Sequence, residues 1–208
     1  MKAIAFFVSI CFTISLTRHV IAYPETRIDD DIYYSQYQHI NKALLNTDSF
    51  SWMFNRTYLP KLEDPEYACV YANVTKLGGT GNYIFMQGWT TPTNVTVEVP
   101  LFVKTEKTEG TGYVRTEDNA MHVTLKSQNG TLLKDFGLYK LIYSDYQYCD
   151  VLRVMSRYPN CELYVHSKHV DKGVPPECMS IYKLACGRQE NYHYPVYDSK
   201  CKTKPHSS

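Results

Sequence analysis

The sequence has no excess of either charge worth the name: 22 Lys and Arg stand against 21 Asp and Glu in 208 residues. That balance excludes the cationic footprint of a nucleic-acid binder and the polybasic patch that holds a protein on an anionic membrane. Catalytic signatures are missing as well. There is no H-E-x-x-H, no G-x-S-x-G and no phosphate-cradling Gly-rich loop, so nothing points to zinc proteolysis, acyl transfer or nucleotide hydrolysis. No C-x2-C spacing exists to build a zinc site. His166 and His169 are close in sequence, but a strand end followed by a loop does not converge them, and both are expected to be exposed polar side chains. The expectation is a binding protein without metal or cofactor, not an enzyme.

Long apolar runs are equally scarce. Ala3 to Leu16 is one, preceded by Lys2 and followed by Val20-Ile21-Ala22 before Tyr23. Fourteen apolar residues fall short of the ~20 that a membrane span needs, whereas the layout fits a signal peptide over residues 1–22. The expected product is a secreted, soluble and monomeric domain over residues 23–208, with a net charge of −1. One substantial core suits that length. Cys11 leaves with the signal, and Cys69, Cys149, Cys161, Cys178, Cys186 and Cys201 remain. Six cysteines in a secreted chain read as three disulfides with 15 possible connectivities. Sequons at Asn55, Asn73, Asn94 and Asn129 point to a glycosylated extracellular protein.

Between these landmarks the pattern is β-rich. Tyr33, Tyr37, Ile40 and Leu44 recur at helical spacing after Asp30 or Asp31 as cap, which predicts an amphipathic helix over 31–46. Eight β-rich runs follow: Ser51–Tyr58, Tyr67–Leu77, Asn82–Thr90, Asn94–Thr105, Asn119–Lys126, Leu132–Ser144, Tyr148–Met155 and Cys161–Ser167. Turn signals such as Gly78-Gly79 and Asn129-Gly130 separate them. In meander order they suit an eight-stranded antiparallel up-and-down barrel, with a two-sheet sandwich as the competing architecture. Glycans must face solvent, so Val70, Ala72, Val74 and Val95, Val97, Val99 should look inward, opposite Asn73 and Asn94. Pro175-Pro176 opens a second helix whose stripe holds Cys178, Ile181, Tyr182, Ala185 and Cys186, stopped by Gly187.

The stretch from Tyr143 to Cys178 contains Y-S-D-Y-Q-Y-C-D-V-L-R-V, then C-E-L-Y-V, then V-P-P-E-C, and Y-A-C-V-Y-A-N-V surrounds Cys69. In these motifs the chain resembles the salivary lipocalins of ticks, the histamine-binding-protein family. The resemblance runs over most of residues 31–201 and implies a lipocalin barrel. It also implies the pairings Cys69–Cys201 and Cys149–Cys178, with which Cys161–Cys186 remains to tie strand eight to the second helix.

The resemblance further implies a small-molecule site. Asp150 in C-D-V and Glu162 in C-E-L match two acidic positions that hold a cationic amine in the family. Alternation supports both, since Asp150 shares a face with Leu152 and Val154, and Glu162 with Tyr164, and a charge on an apolar face is paired or functional. Tyr58 in R-T-Y retains a family aromatic, and Lys61 falls near an aspartate of amine-binding members. Met121, Val123 and Leu138 stand where aromatic residues are expected, and Lys140, on the face of Leu138 and Ile142, stands where an inward carboxylate belongs. A buried Lys140 would neutralise one carboxylate, leaving one remodelled site around Asp150 and Glu162. The expected function is capture of a biogenic amine such as histamine or serotonin. A lipid mediator or sterol is the alternative, because the replacements are apolar and Lys140 can meet an anionic head group. Binding of a host protein is the third reading. It rests on tyrosines such as Tyr33, Tyr34, Tyr143, Tyr146, Tyr148, Tyr192, Tyr194 and Tyr197 as a recognition surface.

Overall fold

The computed structural model describes residues 27–59, 68–157, 160–187 and 193–203. The signal-peptide expectation and Lys61 lie outside them. Eight of the strands are long: β1 Phe50–Arg56, β2 Ala68–Lys76, β3 Asn82–Thr90, β4 Thr96–Glu106, β5 Ala120–Lys126, β6 Leu132–Ser144, β7 Cys149–Val154 and β8 Cys161–His166. Each pairs antiparallel with the next, and β1 pairs with both β8 and β2. The sheet therefore closes on itself. That closure decides against the sandwich and covers most of the strand edges.

Closure is incomplete at one end. β1 and β2 share a ladder only over Phe50–Trp52 and Tyr71–Asn73. Beyond it the two strands part, and a two-residue strand β9, Tyr194–Pro195, pairs with Asn55 and Arg56 of β1. Val196 then donates to the Phe54 carbonyl and accepts from the Cys69 amide, both at 3.0 Å. The carboxyl-terminal segment fills the split between β1 and β2, satisfying backbone groups that would otherwise be orphaned.

The expected single helix over 31–46 is instead three short pieces, with 3-10 turns Ile28–Asp30 and Ile32–Tyr37 followed by the five-residue helix α1 Ile40–Leu44. Asp31 does cap, accepting from the Tyr33 amide at 2.9 Å. Tertiary anchors override the helical period here. Asp29 is buried and forms a bidentate ion pair with Arg153 of β7, at 3.0 and 3.2 Å, so the backbone must follow the barrel wall rather than one helical axis. Burial alone would raise the Asp29 carboxyl, but the Arg153 guanidinium bonded to it holds it below the usual carboxylate range. α1 then turns inward, and its Ile40 and Ala43 join the barrel core.

The second helix, α2 Pro176–Cys186, forms as its stripe predicts. Cys178, Ile181 and Tyr182 are buried against Ile142, Val151 and Leu163 on the outside of the wall. Cys69–Cys201, Cys149–Cys178 and Cys161–Cys186 are all bridged, so two of the three staples fasten α2. No helix among the described residues is long and apolar enough to cross a membrane.

Candidate functional site

The barrel encloses a cavity of about 550 Å³ whose lining is mostly apolar, including Met53, Val70, Phe85, Leu101, Met121 and Val123. That volume falls within the range of small-molecule sites. The expected alternation holds for β2, where Val70, Ala72 and Val74 line it while Asn73 is exposed. On β4, Val99 and Leu101 line it. Val95 does not, because it precedes the strand and is 55% exposed.

Asp150 and Glu162 both line this cavity, two residues apart in the register, since Asp150 of β7 pairs with Tyr164 and Glu162 of β8 pairs with Leu152. At the Asp150 end the partner is His166, 3.0 Å from Asp150 Oδ2 to Nε2, with Nδ1 2.7 Å from the Asp48 carbonyl. His166 is buried, not exposed as the sequence reading had it. β8 alternates Glu162, Tyr164, His166 on one face, so the strand that places Glu162 inward places His166 there too. Burial disfavours its charge, but the hydrogen bond and charge of Asp150 raise its pKa above the usual histidine value. The other carboxylate oxygen, Asp150 Oδ1, is buried with no hydrogen-bond partner among the described residues.

The Glu162 end is a cluster of phenols and guanidiniums. Glu162 accepts from the Tyr58 hydroxyl, and from the Tyr164 hydroxyl at 3.1 Å. Burial pushes its carboxyl up, and the two hydroxyls together with Arg56 and Arg157 oppose that shift. Burial, then the Glu162 charge, raises the hydroxyls of Tyr58, Tyr139 and Tyr164, which keeps them as protonated donors. Tyr139, Arg56 and Arg157 line the cavity here, and none of the three was singled out from sequence. Arg56 was legible, sharing a face with Tyr58 two residues on.

Lys140 and Leu138 are corrections. Neither lines the cavity. The β6 residues that line it are Lys134, Asp135 and Phe136, then Tyr139 and Leu141. The parity changes at a bulge, where Val123 pairs with Gly137 but Thr124 with Asp135, and Gly137 takes φ 83°. One extra residue flips every later side chain to the other face. Lys140 consequently points outward, buried beneath the amino-terminal segment and ion-paired with Asp30. The neutralising role assigned to it passes to His166. Met121 and Val123 do line the cavity.

Of the tyrosines offered as a recognition surface, Tyr33 and Tyr148 are exposed, at 81% and 42%. Tyr143 is buried, 5.1 Å from the Tyr37 ring. The Tyr146 hydroxyl donates to the Gln36 carbonyl and accepts from the His39 amide. Tyr192 lies outside the described residues.

A closed antiparallel barrel around an apolar cavity, with a few buried polar groups aimed inward, defines a lipocalin-type binder of small molecules. The sequence profile of the tick histamine binding protein matches residues 28–203, and the chain belongs to that family. No curated sequence matches. Among solved structures, the serotonin complex of AM182 is 19% identical, with a TM-score of 0.54 over 80% of this chain and 94% of the other. Cholesterol-bound japanin of Rhipicephalus appendiculatus is also 19% identical, with a TM-score of 0.50 over 74% and 96%. Apocrustacyanin C2 is 10% identical, with a TM-score of 0.52 over 86% and 92%. These likenesses show the fold.

Proposed function

We propose that the chain is a secreted scavenger that sequesters a small host mediator in its barrel, a biogenic amine such as histamine or serotonin, rather than an enzyme. The observation that carries this reading is Asp150, which lines the apolar cavity with its Oδ1 atom buried and without a hydrogen-bond partner among the described residues. An ammonium there would supply both the missing donor and a counter-charge. Family membership and the serotonin-bound neighbour support it. The proposed guest contacts are Asp150, Met121, Val123, Tyr58, Glu162 and Tyr164. Calorimetry with histamine and serotonin tests it. Binding at micromolar concentration, weakened at least tenfold by Asp150→Asn, is expected, and no heat from either amine discards it.

A second reading, a lipid mediator or sterol, is favoured by the apolar lining and supported by the cholesterol-bound neighbour. The same proposal extends to glycans at Asn73, Asn94 and Asn129, which are exposed, and at Asn55, which is half-buried in β1.

A further inference from the structure

His166 has one more neighbour than its pairing with Asp150 uses. Its Nδ1 meets the Asp48 carbonyl at 2.7 Å, while its Nε2 meets Asp150 Oδ2 at 3.0 Å and Asn46 Nδ2 at 3.3 Å. A carbonyl only accepts, so Nδ1 carries a proton in both charge states of the ring. The direction of the Asn46 amide is set by its oxygen, which accepts from the Asp48 amide at 2.9 Å and so aims the Nδ2 donor at the ring. Nε2 thus faces an acceptor and a donor together and serves one at a time. Protonated, it donates to Asp150; neutral, it accepts from Asn46.

The stretch that carries Asn46 closes part of the cavity. Ile40, Ala43 and Leu44 of α1 line it, as do Asn46, Asp48 and Ser49 between α1 and β1. None of the three disulfides reaches this stretch, and a five-residue helix has no stability of its own in water. Its position rests on packing and on side-chain ties, among them Asn41 Nδ2 to Asp118 Oδ2 at 3.1 Å and the two contacts to His166. Around the ring stand Asp150 from β7, Asp48, and Tyr164 on its own strand. Lys168 donates its amide to Asp48 Oδ2 and its ammonium to the Thr47 carbonyl. Tyr146, before β7, feels the Asp150 charge, and burial above all pushes its hydroxyl up to about 12. The imidazole is the member of this set suited to change charge near neutral pH.

We propose that His166 is a proton-operated latch between the guest and this stretch of wall. An ammonium on Asp150 takes over the counter-charge, the imidazolium releases its Nε2 proton to solvent, and the freed lone pair accepts from the Asn46 amide. Asp150 stays ionised throughout, so one proton leaves for each amine that enters. The new hydrogen bond draws the 46–48 turn onto the ring, and the guest's arrival tightens the wall beside it. The assignment rests on the amine reading and adds its regulation.

Nuclear magnetic resonance of the nitrogen-15-labelled full chain tests it. As pH rises on the free protein, the Asn46 side-chain amide protons are expected to move downfield with the same midpoint as the His166 ring. Histamine added at pH 6, where the free ring is charged, is expected to produce the same movement. Asn46→Ser keeps an oxygen for the Asp48 amide but withdraws the donor, and should raise the ring's midpoint by about half a pH unit. An Asn46 amide that ignores the ring's titration, or a midpoint that Asn46→Ser leaves unmoved, overturns the latch. A pH response that bound histamine fails to reproduce overturns the coupling to the guest and leaves the amine reading standing. Absence of histamine binding in the same titration overturns the amine reading and the coupling together.

Discussion

His166 sits among three polar partners. Its Nδ1 lies 2.7 Å from the Asp48 carbonyl, which can only accept, and its Nε2 lies 3.0 Å from Asp150 Oδ2 and 3.3 Å from the Asn46 amide nitrogen. Its folded pKa lies above the unfolded value of ~6.5. The stability this pair contributes is therefore complete below that value and lost as pH rises through the folded pKa. Denaturant titrations across pH should show wild type exceeding His166→Gln at pH 6 and the gap closing in alkaline solution; a gap that widens instead refutes the pairing. An ammonium on Asp150 would compete with the imidazolium, so amine binding should release a proton. Binding enthalpies that differ between buffers of unlike ionisation heat would register it. Asp29 has the opposite sign. Held below its unfolded value of ~3.9 by Arg153, it contributes stability above that pH that is lost as pH falls through the folded pKa. Arg153→Ala leaves Asp29 only the Arg27 guanidinium, 3.5 Å away, and should cost about 3 kcal/mol in denaturant unfolding at neutral pH.

Elements whose period ran unbroken were legible, and those interrupted by a bulge or an anchor were not. β2 beyond the irregularity at Cys69 shows its cavity face by alternation, with Val70, Ala72 and Val74 inward, and α2 shows its buried face by i, i+3, i+4 spacing. Asp150 and Glu162 are legible through the family motifs C-D-V and C-E-L, and alternation supports them because each shares a face with apolar or aromatic neighbours. His166 is legible by the same count, since Glu162, Tyr164 and His166 alternate along one strand, although a strand-end position suggests exposure. Lys140 was misplaced because nothing in L-K-D-F-G-L-Y-K announces which residue a bulge absorbs; Gly137 was the available hint, since φ 83° suits glycine. Gly137→Ala should therefore cost about 1–2 kcal/mol. The new Cβ would meet Ser156 at an ordinary 3.4 Å, so the cost is conformational rather than steric. Differential scanning calorimetry should find the loss together with an unchanged guest stoichiometry. The amino-terminal helix failed for another reason. Its period was real, but the Asp29–Arg153 anchor, a contact across 124 residues, is invisible to any local window.

At the scale of the molecule, closure and stapling were readable because strand count and cysteine number are global properties. The cavity's volume was not, because it depends on which side chains the bulges turn inward. Cys69–Cys201 spans 132 residues, a loop whose constraint is worth on the order of 4–5 kcal/mol in the chain-entropy picture. Replacing both cysteines with serine should lower the denaturation midpoint accordingly, and a change of less than 1 kcal/mol would assign the bridge another role.

That other role is suggested by where the bridge sits. It pins the tail at the place where β1 and β2 separate, and Val196 sews the gap between Phe54 and Cys69 just beside Arg56. The wall there is a seam, not woven cloth. A guest leaving through the wall would have to part this seam, so how long it stays becomes a property of the thread at the hem. Cutting that thread should shorten residence time even where affinity at equilibrium scarcely moves.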